Sequence, residues 1–411
     1  MSRQVAIVGA GIVGLSCAYS LREAGYEVTV LDRELDAEGC SYGNGGIIVP
    51  SHFTPIASPG MVRAGLRMML DRKSPFGLAG IPDLSTLAWI GRFLRSATKA
   101  QVAKAAPLVA ALNLASRDLY RALVDRLGCE VGLASRGLLM VCNTAHGLEE
   151  ESEAAQEANR LGLRTTTLDR TELDSLEPDV SFADGVKGAV HFLDDAHLTP
   201  ATFMRCFRSQ LADTGVKFVL APSVALDASG ESVRIEGVPA DQIVVAAGVW
   251  SGDLVRPLGM SLPMLSGKGY GFTVPYSKSM TTPAILVESR IAVTPMLDGV
   301  RFVGTLELGH PNARINHNRI AGVSESIPRY YRGFNLATLS SDKPWFGHRP
   351  CTPDGLPYIG RSRRFKNLTI AAGHAMMGMS LGPVTGKLVA EVVQDLPPSF
   401  NLELLSPNRY D

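Results

Sequence analysis

The sequence predicts an α/β (α+β) fold: a parallel sheet wound with helices, carrying a mainly helical insertion and a separate antiparallel sheet. Three observations predict it. A short apolar run at 4–8 leads through closely spaced glycines into a segment of helical spacing. Helical spacing recurs over three stretches between 61 and 127. Between 268 and 305, apolar and polar residues alternate as in half-buried strands. A chain of 411 residues has room for two or three domains. Its 45% hydrophobic and 19% charged residues exclude a mainly disordered chain. Lys plus Arg and Asp plus Glu balance at 40 each, which argues against nucleic acid as the main partner.

Gln4 to Val8 is apolar enough for a fully buried parallel strand. Gly9-Ala10-Gly11-Ile12-Val13-Gly14 follows, a G-x-G-x-x-G, then a helix from Leu15 to Ala24 that Gly25 ends. Tyr26 to Leu31 reads as a second strand with Asp32 at its end. Gly9 permits the tight turn, Gly11 the approach of a pyrophosphate, and Gly14 close packing of helix on strand. The helix N-terminus offers free N–H groups and the positive end of its dipole to phosphates. Asp32 can accept from ribose hydroxyls and would repel a 2′-phosphate, so FAD or NAD is expected rather than NADP.

A second glycine cluster, Gly39 to Gly46 with Ser41 and Asn44, has an obvious use only in a flavoenzyme, where backbone must approach the flavin-side phosphates and ribityl chain. Asp241 to Ala247 is a strand ending in small residues, followed by Gly248 and Trp250. Leu368 to Gly373 is another, followed by His374 and a glycine-rich turn into a helix that runs through Val393. That turn aims helix N–H groups at a second anionic centre, which in a flavin is the N1–C2=O side.

In these motifs the chain resembles the FAD-dependent D-amino-acid oxidase superfamily, and within it the bacterial D-amino-acid dehydrogenases, especially those acting on D-proline or cis-4-hydroxy-D-proline. The stretches that carry the resemblance are VAIVGAGIVGLSCAYSLREAGYEVTVLDR, GCSYGNGGIIVPS, VVAAGVWS, GHRPCTPDGLPYIG and GHAMMGMSLGPVTGKLV. The resemblance spans nearly the whole chain. It implies a Rossmann-like FAD-binding domain of the glutathione-reductase type beside an antiparallel-sheet substrate domain. It implies FAD contacts at Gly9, Ala10, Gly11, Ile12, Val13 and Gly14, with Asp32 and Arg33 at the adenosine end. Ser41, Asn44, Gly45, Gly46 and Ile48 would follow the pyrophosphate and flavin. Val224, on a strand, would meet adenine; Ala247, Gly248 and Trp250 would lie by the phosphates; Gly378, Met379, Ser380 and Leu381 would form the flavin N1/O2 loop.

A carboxylate-bearing substrate calls for an arginine fork. Arg349 matches the superfamily's substrate-carboxylate position; its alternatives are a surface arginine or one that pairs with Asp354. Tyr270 is either a second substrate contact or the core face of a strand. His52 and His374 are candidates for the pocket wall, each with a purely structural alternative. Amine oxidation by hydride transfer from Cα to flavin N5, giving an imine, needs position and desolvation more than a strong base, so no general base is assigned. Sarcosine-type oxidases carry a lysine where Met377 stands and a flavin-linking cysteine where Gly347 stands. Non-covalent FAD, poor reaction with oxygen and a quinone or protein acceptor are therefore expected.

The expected layout is a discontinuous FAD domain (1–50, part of 140–260, and 340–411), a helical insertion (51–139) and a substrate domain (262–339). Helices are expected at Met61–Leu70, Leu84–Lys104 and Leu108–Leu127. From Met61 to Lys104 eight Lys or Arg stand against two Asp, interleaved with Met68-Met69-Leu70, Trp89-Ile90 and Phe93-Leu94. That zone would lie on an anionic membrane or a partner subunit, or simply pack on the core. No apolar run reaches the ~18 residues of a membrane span, and the glycine-punctuated N-terminus reads as a βα unit rather than a signal peptide. Cytoplasmic location, peripheral on the inner membrane if the basic zone docks there, is the expectation. The six cysteines show no CxxC and no zinc spacing, so free thiols in a reducing compartment and no metal site are expected. Two other functions remain open: an oxygen-using glycine or secondary-amine oxidase, and a flavin-bearing subunit of a heteromeric dehydrogenase.

Overall fold

The computed structural model describes residues 3–35, 39–68, 73–275, 279–334, 336 and 344–411. Two sheets organise them. The first has six strands in the order Lys217–Leu220, Glu27–Asp32, Gln4–Val8, Gln242–Val245, Leu368–Ala372, Tyr358–Arg361. All pairings are parallel except the last, which is antiparallel. The central strand is apolar on both faces, as burial between helix layers requires.

Helix Ile12–Glu23 lies against helix Gly378–Val393, so the two ends of the chain meet. Glycine makes that approach close: a Cβ on Gly386 would fall 2.2 Å from the Ser16 carbonyl oxygen. The long helix Lys99–Leu127 packs on Gly378–Val393, and the Tyr120 hydroxyl donates to the Met379 carbonyl at 2.5 Å. This corrects the expected insertion. Its longest helix belongs to the first core, with Val109, Leu112 and Tyr120 buried among the first-sheet residues. The helical breaks move as well. Thr98 caps the long helix by accepting from Gln101 N–H at 3.1 Å, and the helix continues through Pro107, which its buried face holds in line. The end of the expected Met61–Leu70 helix, including Met69-Leu70, and the 339/340 boundary fall outside the described residues.

The second sheet runs Trp345–Cys351, Leu265–Val274, Gly299–Gly309, Ile291–Met296, Ala284–Leu286, Leu138–Cys142, Gly188–Phe192, Thr165–Asp169, with Phe76–Leu78 added beside Gly299–Gly309. It is mixed rather than purely antiparallel: 284–286 with 138–142 and 76–78 with 299–309 are parallel pairs. It also takes in strands at 138–142, 165–169 and 188–192, outside the expected substrate domain of 262–339, and strand 345–351, which the sequence layout gave to the FAD domain. Leu138–Cys142 and Gly188–Phe192 are buried along their whole length, so their runs look the same in either sheet.

The expectation of six free thiols is corrected too. Cys129 and Cys206 form a disulfide, 77 residues apart, tying the end of the long helix to helix Pro200–Asp213. That distance in sequence leaves no spacing signal. Cys17, Cys142 and Cys351 are buried thiols and Cys40 is half-buried.

Candidate active site

One cavity of about 2610 Å³ runs between the two sheets, well above the ~300–1,000 Å³ of an ordinary small-molecule pocket. The glycine turn forms one end of it. Gly9 has φ +115°, and a Cβ there would fall 2.4 Å from the Ala246 carbonyl oxygen. A Cβ on Gly14 would fall 1.8 Å from the Gly9 oxygen, so Gly14 sits behind the wall and lets helix and strand close. Gly9 to Val13 line the cavity. Ser41 caps this helix: Ile12 N–H donates to its hydroxyl at 3.0 Å. Asp32 receives Ala10 N–H at 2.6 Å and Glu34 N–H at 3.1 Å, which aims its carboxylate along the wall. The Arg33 guanidinium carbon lies 3.8 Å from the Trp250 ring centre.

Asn44, Gly45, Val224, Ala247 and Gly248 also line the cavity. Val224 does so from an extended segment after Lys217–Leu220, not from a strand. Asn44 folds back to accept Gly46 N–H at 2.8 Å; Gly46 itself, at φ +71°, packs on the Leu198 carbonyl. Gly378 and Met379 face the cavity at the start of their helix. Ile48, Ser380 and Leu381 do not; they are buried behind the wall. The Ser380 hydroxyl accepts Val49 N–H at 2.9 Å and donates to Asn113 at 2.5 Å, so it supports the loop rather than touching its contents.

On the other side stands Arg349. Its Nη1 donates to the Thr305 carbonyl at 2.7 Å, and its guanidinium lies over Gly269, the one residue type that leaves room for it. Among the described residues it makes no ion pair. One expected alternative, Asp354, is taken by Arg409 at 2.7 Å. Burial holds the Arg349 guanidinium below its ordinary pKa. Tyr270 is 1% exposed and lies away from the cavity: its hydroxyl accepts Asn316 N–H at 2.9 Å and donates to Glu307 at 3.3 Å. The structure thus places Tyr270 inside the fold and not among the residues that line the cavity. His52 and His374 both line the cavity. Burial pushes His374 down to about 3, and burial together with Arg290 pushes His52 down to about 4, so both rings are neutral at working pH.

Several residues at or behind the cavity wall were not assigned to the site from the sequence. Trp89 donates its indole N–H to the Cys351 carbonyl at 3.1 Å and lines the wall from helix Leu84–Ser96. Asn312 is held there by Lys268, which is 2% exposed and donates to Asn312 at 2.6 Å and to the Arg314 carbonyl at 2.7 Å. Ser51 and Asp195 form a buried pair beside His52. Each depends on a contact across 40 residues or more.

A glycine cradle, two helix N-termini and an ordered carboxylate at the end of the second strand fit a flavin dinucleotide. The long cavity leaves space beyond it, at Arg349, for a substrate. Fold and site together define a flavin-dependent oxidoreductase. The comparisons agree: the chain belongs to the FAD dependent oxidoreductase family, whose model matches residues 4–392. It is 29% identical to a D-amino acid dehydrogenase of Helicobacter pylori over 98% of each chain. It is 30% identical to a D-amino acid dehydrogenase of Rhodopseudomonas palustris, covering 99% of this chain and 98% of the relative. It shares its fold with glycine oxidase from Bacillus cereus, at a TM-score of 0.73 and 19% identity over 98% of this chain and 97% of that one. The protein is thus an FAD-dependent enzyme. Among the described residues no helix is long and apolar enough to cross a membrane.

Proposed function

We propose that this enzyme oxidises D-amino acids, favouring D-proline or cis-4-hydroxy-D-proline, to the imine, and passes the electrons to a quinone or a partner protein. The observation that carries it is Arg349. A largely desolvated guanidinium held only by carbonyl oxygens, with no carboxylate partner, is costly. An incoming carboxylate relieves that cost with two parallel hydrogen bonds and so fixes the substrate's Cα. FAD, when bound, supplies the hydride acceptor. The chain's own part is to hold it, through Gly9 to Val13, Asp32 and the helix start at Gly378, and to aim the substrate. Trp89, Ile90, Phe93, Ile56 and Leu306 line the same cavity, an apolar surround suited to a pyrrolidine ring. The D-amino acid dehydrogenase relatives support the substrate class.

The acceptor reading draws on helix Leu84–Ser96. Its inner face reaches the cavity through Trp89, Ile90 and Phe93. Its outer face leaves Leu84 86% exposed and Leu87 at about half, beside Ile81 at 97%, while the half-exposed Leu94 borders the cavity. Arg95 and Lys99 flank it. Exposed apolar side chains with cations at one end of the helix suit an anionic bilayer from which a lipophilic quinone could reach the cavity.

An anaerobic visible spectrum of the holoenzyme tests the substrate reading. D-proline, cis-4-hydroxy-D-proline, D-alanine and sarcosine are added separately. Bleaching by the D-imino acids with slow recovery in air is expected. Fast recovery with peroxide release would establish the oxidase reading, and no bleaching by any amine would favour the complex-subunit reading.

A further inference from the structure

We propose that Asp195, acting through Ser51, lets His52 take the proton that an amine substrate must shed before it can be oxidised. His52 is the group that meets the substrate; Ser51 and Asp195 are positioning residues. The inference rests on the amine-oxidation reading above.

Asp195 is 1% exposed. Its Oδ2 accepts the Ser51 hydroxyl at 2.5 Å, and its Oδ1 accepts Ser51 N–H at 3.0 Å. The same hydroxyl oxygen lies 3.0 Å from His52 Nδ1. A hydroxyl has one proton to give. When it gives that proton to an ionised Asp195, it accepts from Nδ1–H, which fixes the tautomer and leaves a lone pair on Nε2. Nε2 makes no hydrogen bond to a described residue, and the ring lines the cavity. Carboxylate, hydroxyl and imidazole therefore run in series from the core to the cavity.

The transfer balances. An N–H bond of the substrate ammonium breaks and Nε2–H forms. Nδ1 releases its proton to Ser51 Oγ, and Ser51 releases its own to Asp195 Oδ2. The ring ends neutral in its other tautomer, the carboxylate ends as an acid, and no electron moves. No positive charge is left on the wall, where a buried imidazolium would be costly.

The surroundings favour that end state. Burial raises Asp195 to about 8, while burial and Arg290 lower His52 to about 4, so the proton settles on the carboxylate. Arg117 and Asp194 are the charged groups facing Asp195, and Asp194 is itself paired with Arg117 and Arg164. Arg290 faces His52, and His146, Glu150, Glu151 and Glu288 line the same cavity. His197, two residues from Asp195, is held neutral by burial, down at about 4.

Nitrogen NMR of the histidine-labelled holoenzyme tests the relay without turnover. His52 is expected to switch from Nε2–H to Nδ1–H as pH rises through about 8, where Asp195 ionises. Ser51→Ala should abolish the switch, and Ser51→Thr, which keeps the hydroxyl, should restore it. In anaerobic reduction by D-proline, kcat/KM should rise through the same pH. Ser51→Ala should lose about 100-fold and that rising limb together, as expected for loss of a proton acceptor, and Asp195→Asn should lose the limb. A fixed tautomer in the wild type, or an unchanged pH profile in Ser51→Ala, would overturn the relay. If no amine bleaches the wild type, the amine reading fails by itself, and the tautomer switch still decides whether the relay exists.

Discussion

Gly269→Ala probes the substrate side with the smallest change the structure allows. Gly269 lies outside the left-handed region, so alanine strains no backbone. Its Cβ would fall 2.2 Å from Arg349 Nη1, 2.5 Å from Nη2 and 2.6 Å from Cζ. Ordinary non-bonded contact is near 3.5 Å, so the guanidinium must shift by about 1 Å. A shift of that size costs a fork at least one of its two charge-assisted hydrogen bonds. Each contributes about 1.5–3 kcal/mol, or about 10- to 150-fold in Kd. FAD binding should be untouched, because Gly269 lies on the second sheet and the phosphate cradle on the first. The assay is anaerobic titration with D-proline, read by bleaching of the flavin bands, in a double-mutant cycle with Arg349→Leu. If the alanine acts by displacing the arginine, it costs little more once the arginine is gone. An equal loss in both backgrounds would mean that the new methyl merely blocks the pocket, and the reasoning would fail.

Three other outcomes follow from features described above. Gly14→Ala places a Cβ 1.8 Å from the Gly9 oxygen, so the purified variant should carry little FAD and bind added FAD at least 100-fold more weakly, by ~3 kcal/mol of misplaced helix N-terminus; normal FAD content would refute it. Breaking the Cys129–Cys206 bridge with Cys129→Ser opens a 77-residue loop and should destabilise the fold by about 4 kcal/mol in denaturant unfolding, an effect that reductant should reproduce in the wild type. Asp354→Ala strands the buried Arg409 guanidinium and frees Leu356 N–H, and should cost about 3–5 kcal/mol; a Tm within a degree of wild type would show that the pair is dispensable.

The dinucleotide half was readable because its chemistry is local. Turn, helix start and strand-end acid lie within Gly9 to Asp32, and backbone sterics dictate where glycine must stand. The place of Arg349 on the cavity wall fits its reading as a rigid neighbour of a Pro-rich turn. The face that Tyr270 takes was not readable, because period-2 alternation shows that a strand has two faces but not which of them meets the cavity. The sheet to which the strands at 138–142 and 188–192 belong was not legible, since continuous apolar runs fit any doubly covered strand. Ser51–Asp195, Lys268–Asn312 and Cys129–Cys206 are pairings across long loops, fixed only by the finished fold.

The meeting of the first and last long helices has a consequence for how the protein comes into being. The apolar side of helix Ile12–Glu23 leaves the ribosome long before its cover, Gly378–Val393, has been made. At roughly 5–20 residues per second, the ~370 intervening residues take about 20–70 s. For roughly the first 220 of those residues the phosphate cradle also lacks the strand Gln242–Val245 that shapes its turn, and throughout the interval it lacks the helix that presses on its back. Cofactor loading is therefore a late event in biosynthesis, and the nascent N-terminal segment is the part of the chain most in need of shelter.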